Sequence, residues 1–431
     1  MTQQDRTVQG AGPRGQGDNL RVDGAALWHD LMDSARFGAT PKGGIRRLAL
    51  TEEDRQVREW FVSACEALGC AVSYDSMGNI FARRAGQDNI LPPLAMGSHL
   101  DTQPTGGRFD GILGVLGGLA VLRSLNMAGH VTRHPVELVC WTNEEGSRFS
   151  PPMMCSGVFA GVFTEHEVLE KQDRAGQRFG DALQAIGYKG AEPCGQHPLT
   201  AYFELHIEQG PILEAEGHTI GIVRGIQGAR WYEVTLRGRE AHAGSTPMPM
   251  RHDALVAAAG MVLAVRHVAM QHAPLAVGTV GLVENRPNSS NVVPGEVFFT
   301  IDIRHPEDAV VVDMEKALMG DLERLAAENG VLLDVKRIWD APAVPFDPAC
   351  IEIVAHAADQ LGYSAREIVS GPGHDAGYVA RVAPTAMIFV PCKDGLSHNE
   401  EESILEEDAE KGANVLLSAL LAADAHFSRG A

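Results

Sequence analysis

No CxxC pair occurs in the 431 residues, and the seven cysteines, Cys65, Cys70, Cys140, Cys155, Cys194, Cys350 and Cys392, are odd in number and scattered. That usage speaks against a disulfide framework and points to a reduced, cytoplasmic protein with ordinary buried thiols. No apolar run approaches the roughly 20 residues of a spanning helix, and no apolar leader opens the chain, so neither a membrane nor secretion is expected. Positive charge is scarce: 36 Lys and Arg face 56 Asp and Glu, a formal net charge of −20. Such a field repels phosphate backbones and anionic lipid headgroups, which excludes nucleic acid and membrane surfaces as main partners. No GxSxG elbow is found, so a serine hydrolase is not expected. GILGVLGG at 111–118 does not spell GxGxxG and lacks a ribose-binding acid, so a dinucleotide turn is not expected either.

What is present is a globular composition, 45% hydrophobic and 21% charged, in a chain too long for one ordinary core. Residues 1–18 are rich in Gly, Gln and Arg, and a floppy tail is assigned to 1–20. Helical spacing of Val57, Trp60, Phe61 and Leu68 predicts a helix over 51–68, capped by Thr51, and a short hairpin follows near 77–81. The small residues Gly114, Gly117, Gly118 and Ala120 predict a helix over 112–127 that presses closely on a sheet. Apolar runs at 94–96, 136–141, 201–207 and 385–390 read as buried strands of that sheet.

From about residue 224 the texture changes. Strands near 232–236, 276–283, 297–304 and 331–338 alternate with helices over 253–270 and 308–329, the split βαβ, ferredoxin-like order. After Pro342 the α/β texture returns. The reading is a discontinuous catalytic α/β domain, 21–223 with 340–431, interrupted by a lid over 224–339.

Chemistry gathers at the strand ends. The segment GSHLDTQPTGGRFDG, 97–111, places His99 at the end of one strand and lets Gly106 and Gly107 fold the chain back so that Asp110 faces the same point. Other strands lead into Glu144 and Glu145, into His206, and into His398. Three imidazoles and several carboxylates on the C-terminal edge of a sheet form a donor set for zinc, manganese, cobalt or nickel, and the two oxygens of Asp110 can bridge a metal pair. In a non-helical turn Glu144 and Glu145 point apart, so one can ligate while the other stays free. The Asp101 side chain is suited to accept the second N–H of His99. In the lid, Asp302 and Arg304 share the unburied face of one strand. Arg304 is available to grip a substrate carboxylate, and pairing with Asp302 is the plainer alternative. A single histidine or an acid pair is ordinarily structural or solvated; their recurrence at four strand ends is what favours a site.

These segments, together with WTNEEGSRF, ELHIEQGPILEAEG, REAHAGSTPMPMRHDAL, PNSSNVVPGE, DIR, GPGHDAG and FVPCKDGLSHNEEE, resemble the carbamoylase branch of the dinuclear zinc aminoacylase and aminopeptidase superfamily. That branch comprises N-carbamoyl-L-amino acid hydrolases, beta-ureidopropionases and allantoate amidohydrolases. The resemblance implies a catalytic α/β domain of phosphorylase/hydrolase-like type with an inserted ferredoxin-like α+β lid and dimerisation domain. It implies that His99, Asp110, Glu145, His206 and His398 bind two divalent metal ions, Asp110 bridging, with Glu144 as general base. His242 is then an oxyanion stabiliser, and Gln209, Asn291 and Arg304 are substrate contacts. The implied reaction is hydrolysis of a small N-carbamoyl amino acid, α or β, to the amino acid, carbon dioxide and ammonia, by a homodimer joined through the lid. Allantoate hydrolysis is the alternative, and a non-catalytic metal-dependent binding protein the remote one.

Overall fold

The computed structural model describes residues 20–429, so all of the expected tail except Leu20 lies outside the described residues. Contacts divide the chain into two units: one runs to Arg224 and resumes over Phe346–Ile368 and from Gly373 onward, the other is Gly225–Pro345 with Val369–Pro372. The fold is mixed α/β, and each unit has its own hydrophobic core.

In the first unit the strands lie in the order Ala71–Tyr74, Ile80–Arg84, Val136–Trp141, Leu94–His99, Ala201–Ile207, Thr385–Val390, Ile220–Ile226. Leu94–His99 is parallel to both Val136–Trp141 and Ala201–Ile207, and Ala201–Ile207 is parallel to Thr385–Val390. These four strands are buried along their whole length, as their unbroken apolar runs require for a sheet covered on both faces. Because they share a direction, their C-terminal ends open on one edge. Helix Ile112–Met127 packs on this sheet so closely that a Cβ on Gly114 would lie 2.3 Å from the Leu205 carbonyl oxygen. The predicted hairpin is the pair Ala71–Tyr74 and Ile80–Arg84.

In the second unit the antiparallel order is Val283–Arg286, Glu296–His305, Gly228–Arg237, Leu332–Ala341. Helices Ala254–Gln271 and Asp308–Asn329 lie against this sheet. The strand expected over 276–283 is two strands, Val277–Thr279 and Val283–Arg286. Thr279 opposes Asp302 and Val283 opposes Phe299, so four steps on one chain meet three on the other, an inserted residue between Thr279 and Val283. Glu296–His305 alternates strictly: Val297, Phe299, Ile301 and Ile303 are buried, and Asp302 and Arg304 lie on the other face. Contrary to the expectation of no long apolar stretch, Ala254–Gln271 is long and apolar enough by composition to cross a membrane. Its alanine-lined face, with Met261, Val265 and Val268, belongs to the core of this unit.

Candidate metal centre

His99 ends its strand, His206 is the last but one residue of Ala201–Ile207, and Glu144, Glu145 and His398 stand in loops just beyond two other parallel strands. Asp110 lies at their focus. Its Oδ1 is 3.2 Å from His206 Nε2 and 4.0 Å from His99 Nε2, and its Oδ2 is 3.3 Å from His398 Nε2. Glu145 Oε2 is 3.5 Å from the same His398 nitrogen. Two donor triads result, His99–Asp110–His206 and Asp110–Glu145–His398, each with its atoms within 4.8 Å of one another. Glu144 belongs to neither triad; its Oε2 lies 3.5 Å from His99 Nε2.

Local backbone geometry produces this convergence. Gly111 has φ +71°, and a Cβ there would fall 2.3 Å from the His99 ring, so only glycine lets the chain turn past that imidazole. Asn143 at φ 58° and Gly146 at φ 65° bracket the two acids, and this left-handed entry and exit sends Glu144 toward His99 and Glu145 toward His398. The expected role of Asp101 needs correction. The acceptor for His99 Nδ1 is the Asp101 main-chain carbonyl, at 2.9 Å, whereas its carboxylate is 3.9 Å away. That carboxylate instead accepts the backbone N–H groups of Glu144 and Glu145, each at 3.2 Å. The turn after the strand presents the carbonyl edge to the ring and leaves the side chain to bind the neighbouring loop.

His206 likewise donates from Nδ1 to a main-chain carbonyl, that of Ile207, at 2.9 Å. Both rings therefore carry their proton on Nδ1 when neutral and present a bare Nε2 to Asp110. Burial pushes His99 down to about 4. Burial would lower His206 too, but its bond to Asp110 prevails and holds it up at about 9. Burial pushes Glu144 and Glu145 well above the usual carboxylate range, reinforced by Asp375 for Glu144 and by Asp110 for Glu145. Crowded acids beside imidazole nitrogens fit divalent cations of borderline hardness, because such ions satisfy both oxygen and nitrogen donors and relieve the repulsion.

Several participants escaped the sequence reading. Gln103 donates from its backbone N and from Nε2 to the two Glu145 oxygens, at 3.0 and 2.6 Å. His374 stacks edge-on to His206 with ring centroids 4.5 Å apart, and together with Glu204 it forms a third potential donor group. Glu402 accepts from the backbone of Phe109 and Asp110. His374 stands in GPGHDAG, where no residue had been assigned a role, and Glu402 in LSHNEEE, where only His398 had.

Gln209, at φ 56°, donates from Nε2 to Asp110 Oδ2 at 3.0 Å and to Ser397 Oγ at 3.1 Å. The remaining predicted contacts belong to the second unit. His242 pairs with Val292 in a two-residue ribbon, and the Asn291 carbonyl accepts from the Ala243 N–H, so His242 and Asn291 are neighbours. His242 Nδ1 accepts from Gly244 and Ser245, which leaves the proton of its neutral ring on Nε2. Arg304 is paired with Asp302, from Nε at 3.0 Å and Nη2 at 2.8 Å, and its Nη1 donates to the Gly371 carbonyl at 3.0 Å. A guanidinium has five N–H donors, so one on each terminal nitrogen is still uncommitted.

Residues 95–422 match the model of peptidase family M20/M25/M40. The chain belongs to this family. An N-carbamoyl-L-amino-acid amidohydrolase of Rhizobium meliloti is 48% identical over 405 residues, 94% of this chain and 97% of that one. The allantoate amidohydrolase of Escherichia coli strain K12 is 35% identical, with 91% of this chain and 96% of the relative covered. Among solved structures, an amidase of the hydantoinase/carbamoylase family from Burkholderia multivorans superposes with a TM-score of 0.92 at 56% identity, covering 94% of this chain and 98% of that one. The M20/M25/M40 family is metal-dependent, and as a member this chain is a hydrolase of carbon–nitrogen bonds, which sets aside a purely binding role.

Proposed function

We propose that this chain holds two divalent metal ions, zinc foremost with manganese, cobalt and nickel as candidates, and hydrolyses the ureido C–N bond of an N-carbamoyl amino acid. The α and β substrates both suit the reading, and one water per turnover yields the amino acid, carbon dioxide and ammonia. The observation that carries it is the pair of donor triads sharing Asp110 while Glu144 stands outside both. The likeness to the Rhizobium meliloti enzyme supports the substrate class, and the likeness to the Escherichia coli enzyme makes allantoate the second reading.

His99, His206 and Asp110 would hold one cation, and Asp110, Glu145 and His398 the other. When bound, such cations supply Lewis acidity, polarising a carbonyl and making water a stronger acid. A ureido carbonyl needs that help because two nitrogens donate into it. Glu144 takes a proton from the attacking water and passes it to the leaving nitrogen; burial, which raises its proton affinity, suits a group that must hold the proton between those events. His242 offers its Nε2 proton to the developing oxyanion. Arg304 offers its two uncommitted N–H groups to the substrate carboxylate, with Asn291 and Gln209 as amide contacts.

The test is ammonia release from N-carbamoyl-β-alanine, N-carbamoyl-L-amino acids and allantoate after reconstitution with each metal. Release from a carbamoyl amino acid is the expected result; turnover of allantoate alone favours the second reading, and no release from any of them overturns the substrate class. Glu144→Gln should keep its metals and lose roughly 10²–10⁴-fold in kcat. Undiminished turnover would refute the base.

We further infer a cytoplasmic homodimer joined through the second unit. The outward side of helix Ala254–Gln271 exposes Val256, Leu263 and Met270, and the adjoining edge exposes Val277 and Val283, an apolar surface suited to a second copy. Leu263→Glu should shift the light-scattering mass from dimer to monomer.

A further inference from the structure

Glu402 is 4% exposed and makes no ion pair with a lysine or arginine among the described residues. Its oxygens are nonetheless fully engaged. Oε1 accepts the backbone N–H groups of Phe109, at 3.0 Å, and Asp110, at 3.1 Å, and Oε2 accepts the Ser397 hydroxyl at 3.1 Å. Ser397 also lies 3.2 Å from Asp110 Oδ2 and directly precedes His398. One carboxylate thus ties the turn that carries the shared aspartate to the loop that carries the last histidine, across 292 positions of sequence. The chain leaves room for it: a Cβ on Gly107 would fall 2.2 Å from Glu402 Oε1.

We propose that Glu402 is a positioning residue for the metal pair, fixing Asp110 between its two donor sets and holding His398 against it. This rests on the dinuclear reading above. Asp110 has to present one oxygen to each triad, so a small rotation of its backbone would spoil both at once. Main-chain N–H donors on Phe109 and Asp110 would otherwise be free to let that turn relax, since both lie in a non-helical segment before Ile112–Met127 and Glu402 is their acceptor. Residues that orient ligands in this way are worth about 10–100-fold in metal affinity. Nothing in this role requires Glu402 to touch substrate.

The experiment is calorimetric titration of the metal-stripped full chain with Mn²⁺ and with Co²⁺, together with the visible absorption of the Co²⁺ form, which reports coordination geometry. Wild type should bind two cations. Glu402→Ala should bind them about 10–100-fold more weakly, with an altered Co²⁺ spectrum. Glu402→Gln, which keeps an acceptor for the two N–H groups and can donate to Ser397, should recover most of the affinity; a purely volume-filling role would predict that as well, so the spectrum must return with it. Gly107→Ala leaves the carboxylate chemically intact but displaces it, and should reproduce the Glu402→Ala loss in a folded protein. Wild-type affinities and spectra in both Glu402→Ala and Gly107→Ala would overturn the role, as would a Glu402→Gln spectrum no closer to wild type than that of Glu402→Ala. A wild type that binds no cation pair would overturn the dinuclear reading and this inference with it, so the two failures are distinguishable.

Discussion

Arg304 shows how a charged side chain can be partly spent and still useful. Its side-on fork is taken by Asp302 and one Nη1 donor by Gly371, leaving one N–H on each terminal nitrogen. Asp302 also orients the guanidinium, with Trp231 beneath it at 5.9 Å, so the two remaining N–H groups are held without a search over rotamers. Arg304→Ala should therefore raise KM for carboxylate-bearing substrates roughly 10–100-fold, the range of a hydrogen-bonded charged pair, while kcat changes far less. An unchanged KM would remove the clamp. Arg304 on the unburied face could be read from strand alternation alone. That the ion pair with Asp302 forms could not, because alternation places both side chains on one face without saying which edge of the planar group meets the acid. Asp101 is a like case: side-chain chemistry suggested its carboxylate for His99, but the direction of a main-chain carbonyl is fixed by turn geometry that residue identities do not spell.

Among the elements, the stretch from Leu94 to Met127 is held by close contacts. Strand, turn and helix follow one another with Gly111 between Asp110 and the helix, and that glycine stands against the His99 ring. Gly111→Ala combines a left-handed φ with that clash. It should cost about 1–3 kcal/mol in stability and weaken metal binding, measured by thermal melts and by titration with Mn²⁺; a variant with wild-type melting and affinity would show that the turn is not needed. Helices over 112–127 and 308–329 were legible because small residues or apolar periodicity mark them end to end. The split of the 276–283 strand was not, since an extra residue between Thr279 and Val283 is defined by its register against Phe299 and Asp302 rather than by composition. The same distinction runs through the site. Imidazoles and carboxylates at strand ends announce themselves, whereas Glu402 sits in a run of three glutamates that reads as a solvated face, and its partners are backbone N–H groups far away in sequence.

At the scale of the whole molecule, the acids gathered on one sheet edge make stability depend on metal and on pH together. In the metal-free chain burial raises Asp101 and Glu402 to about 7, and the Asp110 bond, outweighing burial, holds His206 at about 9. Each of these groups binds its proton more tightly folded than unfolded. Their contribution is present at low pH and is lost as pH rises through those values; His99, lowered to about 4, opposes them only below its unfolded value near 6.5. Stripping the metals should thus give a protein whose melting temperature falls between pH 6.5 and 9, and reloading should both raise and flatten that profile. Melting curves with and without chelator test it, and an identical pH dependence in the two forms would count against cations at this edge.

The seating of Thr385–Val390 between Ala201–Ile207 and Ile220–Ile226 bears on how the polypeptide comes together as it leaves the ribosome. Gly225–Pro345 is one continuous run and can collapse on its own early. The larger sheet instead keeps a gap until almost the last tenth of translation, and the unpaired backbone flanking that gap is an invitation to stray β-pairing. Nascent chains stalled before Thr385 should therefore lean on chaperones far more than those released just after Val390.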